Sequence, residues 1–219
     1  MTISTAPISP AFELPDEEAA MRALVRAAVL LTGAAAAIAA VLGVVHTVLA
    51  VAGADRAAAV APAFSFAVGV WGAVQAVTVL MLGMAFAQRP RLAMLTWMTA
   101  LLSGVLSVTA FLHASATVSG GVLATAAGLF AIVFVLWLGV AVRAGVRSGA
   151  LGSGMHAFAL VLIAVGSFAL GLAFVAGLAA PGSRLQEITS ALAAGPGVVA
   201  WLAMPVWWLV AAFRLFPTR

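Results

Sequence analysis

The sequence contains no cysteine, no lysine and no tyrosine, and only 7% of its 219 residues are charged. Without cysteine the chain has no disulfide, no thiolate nucleophile and no cysteine-based metal site. Without lysine it has no Schiff-base residue of the kind that holds retinal. A soluble domain carries about a quarter of its residues as charged side chains. With 65% hydrophobic residues and a mean hydropathy of +1.24, this chain is predicted to face lipid over most of its surface.

The net charge of +4 does not indicate a nucleic-acid partner. The arginines are spread over the ends of hydrophobic runs, which is typical of membrane proteins, so no direct nucleic-acid binding is expected. The first apolar run begins after about twenty residues and follows acidic ones, unlike a cleaved secretory signal. We therefore expect this run to remain in the mature protein.

Six hydrophobic runs are long enough to cross a bilayer as helices, for which about 20 apolar residues are needed. Short breaks that contain glycine, proline or charged residues separate them. The predicted spans are residues 24–52, 58–87, 91–115, 120–143, 155–179 and 191–215. The predicted fold class is all-α, an integral membrane bundle of six transmembrane helices within residues 24–216. Residues 1–23 form a cytoplasmic acidic N-terminal segment, and no soluble domain is expected.

Arginine positions predict the orientation of this bundle. If the N-terminus is cytoplasmic, only Arg56 and Arg184 lie on the outer side. The cytoplasmic side then holds Arg22, Arg26, Arg89, Arg91, Arg143, Arg147, Arg214 and Arg219. Loops rich in arginine and lysine stay in the cytoplasm, so both termini are predicted to lie inside. The protein is accordingly predicted to be a multi-pass protein of a bacterial-type plasma (inner) membrane.

Ionisable side chains are nearly absent from the hydrophobic runs, which limits the chemistry that the chain can perform. Asp55 and Glu187 are predicted to lie in loops, and no carboxylate lies well inside a span. Proton-coupled transporters relay protons through buried carboxylates, and hydrolytic sites need a base with an orienting partner. We therefore predict no enzyme activity, no catalytic residue and no cofactor. Gln75, one turn after Trp71 on the second span, is predicted to hydrogen-bond between helices.

Small residues recur at every fourth position in two spans. The pairs Gly33 and Ala37, and Ala39 and Gly43, show this spacing in the first span, and Ala169, Ala173 and Gly177 show it in the fifth. Lipid supplies no hydrophobic drive for helix association, so small residues commonly allow close backbone approach. The spacing predicts tight helix packing at both stretches.

Two histidines lie at similar predicted depth, near the outer ends of spans one and three. His46 and His113 could face one another across the bundle, and two imidazoles can ligate a haem iron or a copper ion. A hydrogen-bonded histidine near an interface fits each position more simply. We therefore predict no bound metal, and we keep a bis-histidine haem or copper protein as an alternative.

The stretch "ELPDEEAAMR" at residues 13–22 holds four of the six carboxylates. Acidic residues complement the positive end of a helix dipole, and Glu18 and Arg22 form a favourable i,i+4 pair. A helix is therefore predicted to begin in this segment and to continue into the first span. The segment also carries most of the chain's negative charge, and it is predicted to bind a basic cytoplasmic protein. The candidate partner-binding residues are Glu13, Asp16, Glu17, Glu18 and Arg22.

The acidic segment, the six spans and the cytoplasmic termini together resemble the layout of polytopic membrane-anchored anti-sigma factors. In that family a membrane part senses a signal, and a short cytoplasmic part sequesters a sigma factor. The resemblance implies a non-enzymatic membrane regulator whose partner is a sigma factor and whose effect is negative regulation of transcription. A second possibility is a small-solute transporter component, similar to the six-helix substrate-binding subunits of vitamin uptake systems, which bind without buried carboxylates.

Overall fold

The computed structural model describes residues 15–86 and 90–215, which form six α-helices and no β-strand. Each helix is long and apolar enough to cross a membrane, so the predicted all-α fold is confirmed, and the six candidate membrane helices match the predicted number. The helices are α1 (Pro15–Ala52), α2 (Ala54–Phe86), α3 (Pro90–Ala114), α4 (Gly120–Arg147), α5 (Ser153–Leu178) and α6 (Arg184–Arg214).

The first and last helices extend beyond the predicted hydrophobic spans at their N-termini. α1 begins at Pro15, as the acidic helix start predicted. α6 begins at Arg184 instead of residue 191, because a polar turn caps it. The Ser183 side chain accepts a hydrogen bond from the Gln186 backbone N–H at 3.2 Å, and Gln186 Oε1 accepts one from the Gly182 N–H at 2.7 Å. This reciprocal arrangement resembles a capping box.

The prediction that Asp55 and Glu187 lie in loops is wrong. Asp55 lies in the first turn of α2, and Glu187 lies in the first turn of α6. A carboxylate at this position complements the positive end of the helix dipole. Only Gly53 separates α1 from α2, and its φ of +147° is a conformation that glycine adopts without strain. Charge alone therefore does not mark a break between helices in this chain.

The six helices form a closed ring in which each packs against its sequence neighbours and α6 packs against α1. Contacts between neighbours show that they are antiparallel. Thr32 Oγ1 on α1 lies 2.8 Å from Thr78 Oγ1 on α2, whereas His46, farther along α1, stacks on Phe64, which is earlier in α2. We call the end of the bundle that contains the starts of α1, α3 and α5 the proximal end, and the opposite end the distal end.

Aromatic side chains fill the proximal half of the ring. Phe134 and Trp137 of α4 contact Trp208 of α6, with ring centroids 6.2 and 6.4 Å apart. Trp207 packs edge-on against Trp208 at 4.9 Å, and both residues are buried. These two tryptophans therefore serve as core residues rather than as interface anchors.

Glycines allow α2 and α3 to approach closely. A Cβ placed on Gly72 would lie 2.9 Å from the backbone oxygen of Ser103, and one on Gly83 would overlap the Thr96 side chain. Ser107 Oγ donates to the Gly69 carbonyl at 2.7 Å across the same interface. Gly33 is similarly close to Leu209 of α6, so the close packing predicted there is confirmed.

Candidate ligand-binding cavity

The distal half of the ring contains a cavity of about 1020 Å³. All six helices line it, from residues 43–48 of α1 round to residues 190–204 of α6. Small-molecule sites in proteins have volumes of about 300–1,000 Å³ and mostly apolar walls. The cavity is at the upper end of that range, and nearly all the side chains that line it are apolar.

Small residues create much of this volume on three of the helices. A Cβ placed on Gly128 would meet no atom of the described chain within 4 Å. The small lining residues are Ala124, Ala127, Gly128 and Ala131 of α4, Gly166, Ala169, Ala173 and Ala176 of α5, and Ala193, Ala194, Gly197 and Ala200 of α6.

The predicted packing stripe on α5 therefore has a different role from the one expected. Ala169 and Ala173 line the cavity, although Ala169 also lies 3.9 Å from a Cβ built on Gly197 of α6. Gly177 has open space beside it among the described residues. The prediction of tight packing is wrong at Ala173, which lines the cavity, and at Gly177, which is exposed.

The cavity ends toward the proximal side on an aromatic floor. Trp71 of α2 meets Trp201 of α6 edge-to-face, with ring centroids 5.2 Å apart, and meets Phe130 of α4 at 5.8 Å. Phe134 continues this floor into the proximal aromatic core. A ligand in the cavity would therefore contact Trp71 and Trp201.

The two histidines singled out from the sequence both line this cavity. His46 Nδ1 lies 3.2 Å from the Ala57 carbonyl oxygen, and its ring stacks on Phe64 with centroids 5.7 Å apart. His113 Nδ1 lies 3.0 Å from the Val118 carbonyl oxygen. α1 and α3 do not contact each other in the described chain, so the two histidines line the cavity from separate helices.

The surroundings of the two histidines bear on the metal-binding alternative. Within residues 15–86 and 90–215, no group of three or more histidine, cysteine or carboxylate side chains could hold a metal ion. In that part of the chain, His46 and His113 therefore belong to no such group. Each is hydrogen-bonded to a backbone carbonyl, as the simpler of the two predictions expected.

Gln75 does not form the interhelical hydrogen bond predicted for it. The side chain is fully buried, yet neither Oε1 nor Nε2 has a partner among the described residues. Trp71 Nε1, one turn earlier, is likewise buried without a partner there. The interhelical polar contacts come instead from residues that the sequence did not single out, such as Ser107 and the Trp137 Nε1–H, which donates to Thr96 Oγ1 at 3.1 Å.

The acidic segment lies at the opposite end from the cavity. Glu13 lies outside the described residues, and Asp16 lies in the first turn of α1. Glu17 and Glu18 are exposed, and Arg22 Nη2 donates to Glu18 Oε1 in the predicted i,i+4 ion pair. Residues 17–24 are all exposed, and the first buried side chain of α1 is that of Val25. The start of α1 therefore extends beyond the packed part of the bundle.

The chain has two candidate sites, the distal cavity and the exposed start of α1. No family model, no curated protein and no solved structure matches the sequence. Function is therefore inferred from the chemistry of these two sites alone.

Proposed function

We propose that the protein is a non-catalytic, multi-pass membrane protein that binds a largely apolar small molecule in the distal cavity. It would act as the solute-binding component of a transport system, which is one of the three possibilities that the sequence left open. The observation that carries the proposal is the cavity of about 1020 Å³ lined by all six helices. An opening of this size with mostly apolar walls is typical of sites that bind small molecules.

The composition of the lining supports binding rather than catalysis. No carboxylate and no arginine is among the described residues that line the cavity, and the polar ones are His46, His113 and a few hydroxyl groups. Such a lining can desolvate and orient an apolar molecule, but it offers no nucleophile paired with a base. A solute that dissolves in lipid would suit this site.

The distribution of arginines supports a cytoplasmic proximal end. In the described chain, Arg56 and Arg184 lie in the first turns of α2 and α6, at the distal end. The arginines at or near the proximal end are Arg22, Arg26, Arg91, Arg143, Arg147 and Arg214. Under the positive-inside rule the cavity would then lie in the outer half of a bacterial-type plasma membrane.

A second candidate function uses the other end of the molecule. The exposed start of α1, with Glu17 and Glu18, could hold a basic cytoplasmic protein such as a sigma factor, as in the membrane-anchored anti-sigma type of regulator. The extension of this helix beyond the bundle favours a docking role, because its acidic side chains are accessible. The two functions are compatible, since the sites lie at opposite ends.

The test of the leading proposal is to fill the cavity without disturbing the packing. Gly128→Leu combined with Gly166→Leu adds side chains where a Cβ meets at most an ordinary contact, 3.9 Å to Val135. The control is Gly104→Leu with Gly171→Leu, at positions that also have open space but do not line the cavity. All variants carry Trp97→Phe, which removes an exposed tryptophan far from the cavity floor.

Binding is measured as quenching of tryptophan fluorescence by bromododecane in lipid nanodiscs, because Trp71 and Trp201 form the cavity floor. We expect saturable quenching that weakens at least about fivefold in the filled variant, or about 1 kcal/mol, and stays unchanged in the control. Equal quenching in both variants, with normal thermal unfolding, would reject the cavity as a binding site.

A further inference from the structure

The distal cavity has an uneven distribution of hydrogen-bonding groups. Its floor and its walls on α4 and α5 are apolar, whereas His46 and His113 lie toward the distal ends of α1 and α3. A molecule that matched the whole cavity would therefore have an apolar body against Trp71 and Trp201 and a polar group toward the histidines. The chemistry of the two imidazoles determines which polar group fits.

In each imidazole, Nδ1 is hydrogen-bonded to a backbone carbonyl oxygen. A carbonyl oxygen only accepts hydrogen bonds, so Nδ1 of His46 carries the proton donated to Ala57, and Nδ1 of His113 carries the one donated to Val118. The neutral ring in this tautomer presents Nε2 as a hydrogen-bond acceptor. Within the described chain neither Nε2 has a hydrogen-bond partner, and neither is among the fully buried unpartnered atoms.

We infer that the ligand of the distal cavity is an amphipathic molecule with hydroxyl groups at its polar end, and that His46 and His113 each accept a hydrogen bond from a different hydroxyl. This inference rests on the proposed binding function. A hydroxyl group is the simplest neutral donor for an imidazole nitrogen, and it brings no charge into a cavity whose described lining has no arginine and no carboxylate. The two histidines thus serve as specificity residues for the polar end of the ligand.

The experiment compares three brominated probes of equal chain length, a long-chain alcohol, its methyl ether and the corresponding carboxylic acid. The ether keeps an oxygen but cannot donate a hydrogen bond. Binding is measured by tryptophan quenching in nanodiscs for the wild type and for the variant His46→Phe with His113→Phe. Phenylalanine keeps an aromatic ring but has no hydrogen-bonding nitrogen, and at position 46 it can still stack on Phe64. The ratio of alcohol to ether affinity within one variant cancels any general change in the cavity.

We expect the wild type to prefer the alcohol over the ether by about fivefold, the effect of one net hydrogen bond of about 1 kcal/mol. The double variant should bind the ether as before and lose the preference. A wild-type ratio near one would overturn the inference while leaving the binding function intact. Failure of all three probes to bind the wild type would instead reject the binding function itself.

Two further outcomes would replace the hydroxyl assignment. Tighter binding of the carboxylic acid than of the alcohol, lost in the double variant, would identify the histidines as an anion site. Stoichiometric copper, or a Soret band in the purified protein, removed by His46→Phe alone, would identify them as metal ligands. Either result would contradict the inference.

Discussion

Arg26 on α1 donates two hydrogen bonds to the carbonyl oxygen of Leu215, the residue that follows α6. The Nε–H donates at 2.9 Å and an Nη2–H donates at 2.6 Å. This carbonyl is one of those that a helix C-terminus leaves without an intrahelical partner. The guanidinium group supplies that partner and joins the first helix to the last, so it closes the ring at its proximal end. A positive charge beside the C-terminus of α6 is also favourable to the helix dipole.

Arg26→Lys is expected to weaken this closure while keeping the charge. A lysine ammonium cannot reproduce the two parallel N–H donors of the guanidinium group, so we expect a loss of about 1–2 kcal/mol of unfolding free energy. The measurement is chemical or thermal unfolding in detergent micelles. Arg22→Lys is the control, because its ion pair with Glu18 is exposed and should matter less. Equal losses for the two variants would show that ring closure does not depend on Arg26.

Gly72→Ala is expected to destabilise the bundle more than its single methyl group suggests. The new Cβ would lie 2.9 Å from the Ser103 backbone oxygen, so α2 and α3 must move apart, at a cost of roughly 1–3 kcal/mol. Gly104→Ala is the matched control, since its Cβ meets open space and alanine is the better helix former. Unfolding of both variants in the same detergent provides the comparison. If the Gly72→Ala protein were as stable as Gly104→Ala, α2 and α3 would be shown to move apart at little cost in free energy.

The hydrophobic runs predicted the number of helices and their approximate bounds, because about 20 apolar residues leave little choice of structure in lipid. The sixth hydrophobic run does not show where α6 begins. Ser183 and Gln186 cap a polar turn at the start of this helix, before its apolar part begins. The signal was present as a serine followed three residues later by glutamine. Charge and proline in the same stretch are typical of a loop, so the serine and the glutamine alone do not decide between a loop and a helix start.

The cavity was not predictable from the local sequence. Gly33 and Ala173 both belong to stripes with four-residue spacing, yet one lies against Leu209 and the other faces open space. The spacing identifies the face of a helix that carries small side chains. The distance from that face to the helix opposite depends on how all six helices of the ring pack. Rarity and matched depth single out His46 and His113, and both line the cavity, but nothing in the local sequence indicates that a cavity is there.

The proposed orientation predicts both termini on the cytoplasmic side. A cytoplasmic-format reporter fused after residue 219 should be active in bacterial cells, because the proximal end holds most of the arginines. The same reporter fused within residues 115–119, between α3 and α4 at the distal end, should be inactive, and a periplasmic-format reporter should be active there. The reverse pattern at the two sites would place the cavity in the inner half of the membrane and the acidic segment outside the cell.

The acidic start of α1 provides the sharpest test of a partner-binding role. Glu13→Gln, Asp16→Asn, Glu17→Gln and Glu18→Gln together remove four negative charges while keeping side-chain size and much of the hydrogen-bonding capacity. Asp55→Asn with Glu187→Gln is the control, because these are the remaining carboxylates and lie in the first turns of α2 and α6 at the distal end. Both variants lose favourable interactions with helix dipoles, so a difference between them would report on the position of the charge.

If the segment holds a basic cytoplasmic protein, recovery of that protein with the wild type should fall steeply as salt is raised, since the attraction is electrostatic. The fourfold variant should recover much less of it at low salt, with a weaker dependence on salt, and the control should match the wild type. Each protein is compared at equal membrane abundance, and thermal unfolding confirms that the bundle is intact. Equal recovery from all three would show that the segment serves only to start α1, because a docking surface built on charge cannot lose four charges without effect.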